Sequence, residues 1–316
     1  MFRFLRRGRP VPRDVAERLV AEGNAASDDG HRDAASTLYR QAMEADPTWS
    51  VPHFNLGLAA KYEGRWGEAL AFNRRAAQLD PGDEGAWWNV AIAATALGNW
   101  LEARRAWKAC GLDLPPGEGA PDGDLGVVPI RLDPAGPGEV VWSRRIDPAR
   151  ARILNIPLPG SGFRFGDTVL TDGAVAGHRA LNGRDVPVFN VLCRLVISPL
   201  RAFVGGVSLP ASGKWETLAG VAESEGGAAE DWASSVYAVC KSCSEGRVDP
   251  GCSHGFLEGE QVCAVAARDE VHLRAILDRW QTAVPGLGMR AWEPAVEGAD
   301  ALARGGEGGV EGQPLR

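Results

Sequence analysis

Lysine is nearly absent from this chain: of 34 basic residues, only Lys61, Lys108, Lys214 and Lys241 carry an ammonium group, and the rest are arginines. With 40 glycines and 21 prolines, that bias points to a GC-rich, bacterial genome rather than to selection for phosphate contacts. The net charge of -7 argues against nucleic acid as a partner. Long apolar runs are missing too. No stretch approaches the ~20 residues needed to cross a bilayer, so no membrane partner is expected. Residues 1–13 place Arg3, Arg6, Arg7, Arg9 and Arg13 among Phe2, Phe4 and Leu5, but no apolar core or cleavage site follows, so they read as a solvated basic leader and not as a signal peptide. The six cysteines are then expected in a reducing, cytoplasmic setting, as metal ligands or small core residues. Catalytic signatures are missing as well: there is no H-E-x-x-H, nucleophile elbow, dinucleotide fingerprint or phosphate loop. Gly160 to Gly166 has neither the spacing nor the lysine of a phosphate loop and reads as a turn. Glu230 and Asp231 read as a solvated strand entrance rather than an acid/base couple. A non-enzyme is expected.

What is present is a repeat. Pro47, Pro81 and Pro115 lie 34 residues apart, and Ala35, Ala69 and Ala103 keep the same spacing, as do Tyr39, Asn73 and Trp107. Leu56-Gly57 aligns with Val90-Ala91, and Phe54-Asn55 with Trp88-Asn89. A period in the thirties with two apolar-periodic segments per unit, each closing at a proline, predicts a stack of helical hairpins.

On these residues the segment 14–117 resembles three tetratricopeptide (TPR) repeats, at about 16–49, 50–83 and 84–117. The family's characteristic positions are filled by Gly23, Ala35, Tyr39, Ala42 and Pro47, then by Leu56, Gly57, Ala69, Ala76 and Pro81, then by Trp87, Ala103, Trp107 and Pro115. Asn73 in place of an aromatic and Cys110 in place of a small residue are departures that leave the period intact. The resemblance implies a protein-binding scaffold whose first helices line a concave groove. It places Phe54, Asn55, Leu58 and Tyr62 beside Trp88, Asn89 and Ile92, with Asn24 extending the row from the first repeat. An amide both donates and accepts, so stacked asparagines can hold the backbone of an extended peptide while neighbouring aromatics take its side chains. Equally, Asn55 and Asn89 could cap or bridge adjacent helices. The cationic positions by which heat-shock co-chaperones of this family clamp a terminal carboxylate are occupied here by Val20, Gly85 and Asn89. A heat-shock chaperone tail is therefore not the expected ligand.

Residues 118–126 are rich in Gly, Pro and Asp and read as a linker. No polar capping helix precedes them, so Trp100, Leu101 and Trp107 on the last helix are expected to be covered by the following domain. From 127 to 197 short β-rich runs, Val127–Leu132, Glu139–Ile146, Ala151–Pro157, Asp167–Thr171 and Val188–Leu195, predict a small β-barrel-like domain. His178 falls in a turn of that reading. From 198 to 295 the order is β-α-β-β-α-β: strands Arg201–Leu209, Ala233–Cys240, Glu260–Ala267 and Met289–Trp292, with helices Gly213–Glu225 and Glu270–Ala283, the second capped by Asp269. This is the ferredoxin-like plan. Residues 296–316 read as a disordered tail.

Between the middle strands the loop 240–254 holds Cys240, Cys243, Cys252 and His254. Cys-x2-Cys-x8-Cys-x-His converges four zinc ligands, with Gly246, Pro250 and Gly251 letting the chain fold back. A redox dithiol would start a helix, whereas Cys243 leads into a turn. Unliganded cysteines are the remaining reading. Four protein ligands leave no site for water, so Zn2+ here would be structural. Cys110, Cys193 and Cys263 read as core residues. The whole is a multidomain α plus α+β chain. Its expected function is a protein-protein interaction adaptor binding a partner segment in the repeat groove, and its alternative is a regulatory protein sensing a small molecule on the ferredoxin-like domain.

Overall fold

A computed structural model describes residues 12–134, 138–181, 183–210, 213–232, 237–238, 255–256, 262–295 and 313–314. It divides into two compact units, 1–121 and 122–316.

The first unit contains six helices: α1 (Pro12–Asp28), α2 (Arg32–Ala45), α3 (Ser50–Tyr62), α4 (Trp66–Leu79), α5 (Glu84–Ala96) and α6 (Trp100–Ala109). They pair in sequence order as three helical hairpins, α1 with α2, α3 with α4 and α5 with α6. Each hairpin turn is made the same way. Gly30, Gly64 and Gly98 adopt left-handed φ of 81°, 70° and 67°, and each donates to the carbonyl three residues back, Ser27, Lys61 or Thr95. The next residue, His31, Arg65 or Asn99, donates to the carbonyl five residues back, so two orphan carbonyls of each helix end are satisfied. Within a hairpin a small residue faces a larger one. A Cβ on Gly23 would lie 2.6 Å from the Tyr39 ring, and one on Gly57 would lie 2.2 Å from the Asn73 amide. The corresponding pair in the third hairpin, Ala91 and Trp107, is buried. Asn73 holds its place by donating to the Ala69 carbonyl at 2.8 Å, which is how an amide fits where an aromatic is expected. On the last helix Trp107 is buried against Trp88, with ring centroids 4.9 Å apart, whereas Leu101 stays 63% exposed.

The second unit has two sheets. Strands β1 (Val127–Arg131), β2 (Val140–Arg145), β3 (Arg150–Ile153), β4 (Thr168–Leu181) and β5 (Arg184–Val196) pair antiparallel in sequence order. Parallel pairing of β1 with β5 through Ile130↔Phe189 and Arg131↔Asn190 closes the ring. Its interior holds Ile130, Leu132, Val141, Ile153, Phe163 and Val191. The sequence placed a turn at His178, but the structure places His178 in β4 opposite Pro187. The ribbon is hidden in the sequence because Gly173, Ala174, Ala176 and Gly177 carry little β propensity and the register shifts among them. The linker is also shorter than its composition suggests: Gly123 and Leu125 donate to the carbonyls of Ile146 and Arg145 beside β2.

The second sheet is built from β6 (Arg201–Ser208), β7 (Ala228–Asp231), β10 (Val262–Ala267) and β11 (Gly288–Met289), in the order β11-β6-β10-β7, with every adjacent pair antiparallel. Two-residue β8 (Tyr237–Ala238) and β9 (Gly255–Phe256) pair with each other, β12 (Glu293–Pro294) adds to β6, and β13 (Gln313–Pro314) adds to β5. Helices α7 (Trp215–Ser224) and α8 (Glu270–Ala283) pack on one face around Phe203, Val207, Leu218, Val265, Ile276 and Trp280. Asp269 caps α8 by accepting from His272 N at 2.8 Å. The strand beside β10 is Ala228–Asp231 and not the expected Ala233–Cys240, of which only Tyr237 and Ala238 are described. Two small residues, Ala228 and Ala229, gave no strand signal; pairing to Ala266 and Val265 selects them.

Candidate functional site

The repeat groove brings together some of the expected residues and separates others. Asn55 Nδ2 donates to Asn24 Oδ1 at 3.2 Å, and Tyr39 OH donates to the same oxygen at 2.9 Å. Asn24 is exposed and Asn55 half-buried, so this amide pair bridges two hairpins while remaining at the surface. Asn89 is different. It is buried at 5% exposure, and its Oδ1 accepts from the Nζ of Lys61, itself 4% exposed, at 3.1 Å. That ammonium also lies 4.6 Å from the Tyr62 ring centroid, and Tyr62 is 48% exposed. Every residue from Asn89 to Ala96, including Ile92, is buried.

Phe54 packs with Ala76, Ala77 and Ala86 at the junction of the second and third hairpins, and Trp88 leans on Trp107. Leu58 is half-buried. Of the proposed row, Asn24 and Tyr62 are exposed, Phe54, Asn55, Leu58 and Trp88 are half-buried, and Asn89 and Ile92 are buried. Lys61 was missed. Its signal was in the sequence: Ser27, Lys61 and Thr95 recur at the 34-residue period, a polar column one residue before the Tyr62 position.

In the second unit a pair of acidic side chains meets one loop. Glu230 accepts from Asn155 Nδ2 at 2.9 Å and Ile156 N at 2.7 Å, and Glu139 accepts from Leu158 N at 3.0 Å. Glu230 is thus a strand residue holding the β3–β4 loop and not the solvated entrance expected from the sequence. Burial pushes the Glu139 carboxyl up to about 7 against the pull of the Leu158 amide, and the negative charge of Glu230 adds to the rise. Backbone amides occupy these carboxylates, which assigns them a positioning role in the fold.

The same sheet carries a cavity of about 870 Å3 lined by Val204, Gly206, Trp232, Val262, Arg290 and Glu293, with Pro159 from the β3–β4 loop. Burial raises the thiols of Cys110 and Cys263 to about 11 and that of Cys193 to about 12. Cys193 and Cys263 are buried as expected, while Cys110 is only half-buried. None of the three is a thiolate at neutral pH. The expected zinc ligands Cys240, Cys243, Cys252 and His254 lie outside the described residues. Among the described residues no cluster of histidines, cysteines and carboxylates could hold a metal, and no helix is long and apolar enough to cross a membrane.

No protein-family model matches the chain, and no curated protein matches it. Solved structures do. The first TPR of Spaghetti (RPAP3) bound to an HSP90 peptide is 24% identical over 31% of this chain and 78% of that one, with a TM-score of 0.30. The Sgt2 TPR domain from Aspergillus fumigatus is 25% identical over 30% of this chain and 63% of that one, with a TM-score of 0.29. The TPR2B domain of yeast Sti1 in complex with pHsp70 is 22% identical over 31% and 78%, also at 0.29. All three are similar to this chain over less than a third of its length.

Proposed function

We propose that this protein is a non-catalytic adaptor that holds an extended segment of a partner protein on the first two helical hairpins. The observation that carries this is the Asn24–Asn55 amide pair at the surface, with half-exposed Tyr62 two turns further along the helix that carries Asn55. Surface amides and an aromatic face along one helix are the combination that recognises a peptide backbone and one side chain. A heat-shock chaperone tail is not the proposed ligand, since Val20, Gly85 and Asn89 supply no cation. Lys61 provides one ammonium from a different position, already engaged with Asn89. A cytoplasmic location belongs to the same proposal.

The test is affinity capture with wild type, an Asn55→Ala/Tyr62→Ala variant and a Val271→Ala control at an exposed position of the second unit. A partner recovered by wild type and control but lost by the double variant supports the groove. Equal recovery by all three removes it.

Residues 198–295 are read as a ferredoxin-like domain; the strand order β11-β6-β10-β7 and the helices after β6 and β10 support this. Structural Zn2+ on Cys240, Cys243, Cys252 and His254 is part of the proposal. The pairing of Ala238 with Gly255 supports it by joining the two ends of that loop. Purified protein without stoichiometric zinc, and with all six thiols titrating equally before and after chelation, would exclude the metal. A second reading, a regulatory small-molecule site on this domain, is favoured by the 870 Å3 cavity, whose size is that of a ligand pocket.

A further inference from the structure

The barrel and the second sheet meet at a short piece of the β3–β4 loop, residues 155–158, which both of them grip. On the barrel side, Trp142 N donates to Asn155 Oδ1 at 2.6 Å, and Leu158 N donates to both oxygens of Glu139, at 3.0 and 3.2 Å. On the sheet side, Glu230 accepts from Asn155 Nδ2 and Ile156 N, and Trp232 Nε1 donates to the Ile156 carbonyl at 3.1 Å. Beneath these bonds Ile156 and Leu158 pack with Ala228, Trp232, Ala264 and Ala266. The stretch belongs to no strand or helix, so it can open without unfolding the strands on either side.

Glu139 enters this seam with no pairing cation among the described residues. Glu230 stands opposite Ala264, on the sheet face that meets the loop, whereas Asp231, opposite Cys263, lies on the face of the helices. The Arg131 side chain runs beside Gly138 but turns its Nη1 to Asn190 Oδ1 at 3.4 Å. On the loop, Arg164 directs its Nη1 to the Ser198 carbonyl at 3.3 Å. Arg290 and Glu293 line the cavity that Pro159 borders. Of these groups Glu230 is the one whose charge bears on Glu139, and it has the same sign. Burial first, and that like charge second, outweigh the Leu158 amide and push the Glu139 carboxyl up to about 7.

We propose that residues 155–158 are a proton-controlled clasp between the barrel and the second sheet, closed while Glu139 holds its proton and loosened when that proton passes to solvent. In the open loop the carboxylate regains water and Leu158 loses its acceptor. Pro159 and Trp232 also line the cavity of the second sheet, so the same opening moves one of its walls. The closed seam binds the proton more tightly than the open loop, where the ordinary value of 4.5 applies. The opening constant therefore rises about tenfold per pH unit from about pH 5 to about pH 7 and levels off above.

The test is amide hydrogen exchange on the full-length protein from about pH 5 to about pH 8, corrected for the chemical exchange rate. Peptides covering 154–162 should lose protection by about tenfold per pH unit up to about pH 7 and hold steady beyond it. At every pH they should be about tenfold or more less protected than β3 and β4. Glu139→Gln keeps an acceptor for Leu158 N and has no proton to lose, so its loop should retain the low-pH protection throughout. A wild-type loop with flat protection overturns the clasp, and that result needs no variant. A Glu139→Gln loop that keeps the wild-type slope overturns it too. So does loop protection equal to that of β3 and β4 at every pH, since the loop would then open only with the unit as a whole.

Discussion

The helical unit and the closed barrel enclose cores of similar modesty by opposite means. In the hairpins nothing is charged at the point of closest approach: glycine or alanine faces a larger residue, and the distance between backbones is set by the absence of a Cβ at Gly23 and Gly57. In the barrel the tight points are ionic. Asp167, fully buried, accepts from Ser198 N at 2.7 Å, from Arg164 N at 2.9 Å and from Arg194 at 3.3 Å. Asp147, also buried, accepts from Ala149 N and Arg150 N and pairs with the Arg150 guanidinium at 2.6 Å. Repeated helices can reuse one steric solution. A barrel with four different connections cannot reuse one solution, because every loop that turns inward brings its own backbone amides that must be satisfied.

The largest effect that would break this contrast is at Asp167. Asp167→Ala removes the carboxylate from half-buried Arg194, which keeps the Gly162 carbonyl, and leaves the Ser198 and Arg164 backbone donors without their acceptor, and should lower stability in urea unfolding by about 3–5 kcal/mol. A loss below about 1 kcal/mol would mean the anchor is decorative.

Next is pH. The Glu139 carboxyl sits above its ordinary value of 4.5, at about 7, mainly through burial. The folded form therefore binds the proton more tightly, so the contribution is fully present below about 4.5 and is lost as pH rises through about 7, by about 3 kcal/mol. Glu139→Gln should flatten the stability profile of this unit across that window; an unchanged slope would assign it to another group.

The smallest effect is steric and belongs to the helices. Gly57→Ala should cost about 1–3 kcal/mol by overpacking against Asn73, although alanine is the better helix former. Gly67→Ala in α4, where nothing lies within 4 Å of the added carbon, should instead gain about 0.5–1 kcal/mol. Equal outcomes at the two glycines would erase the distinction.

The same contrast explains what could be read from residues alone. The hairpins were legible because Pro47, Pro81 and Pro115 repeat a local pattern three times, and local patterns survive without knowledge of partners. Helix α8 was legible for the same reason, with its Asp269 cap. The β4–β5 ribbon and β7 were not, since alanines and glycines become strand only when a neighbour supplies the pairing. The roles of Glu139 and Glu230 were not legible because both are defined by one loop, 19 positions from Glu139 at Leu158 and 74 from Glu230 at Ile156. The 34-residue spacing relates Asn55 to Asn89, yet Asn55 bonds to Asn24 near the surface while Asn89 and Ile92 are buried, a difference of packing that the period does not carry.

The parallel seam between β1 and β5 carries a consequence for biosynthesis. Arg131 reaches Asn190, 59 positions later in the chain, so the ring cannot shut until that distant stretch has left the ribosome. The hairpins need only their immediate neighbours. Loop closure over such a span is slow compared with helix docking, so the emerging polypeptide presents finished repeats to the cell while its barrel is still an open ribbon.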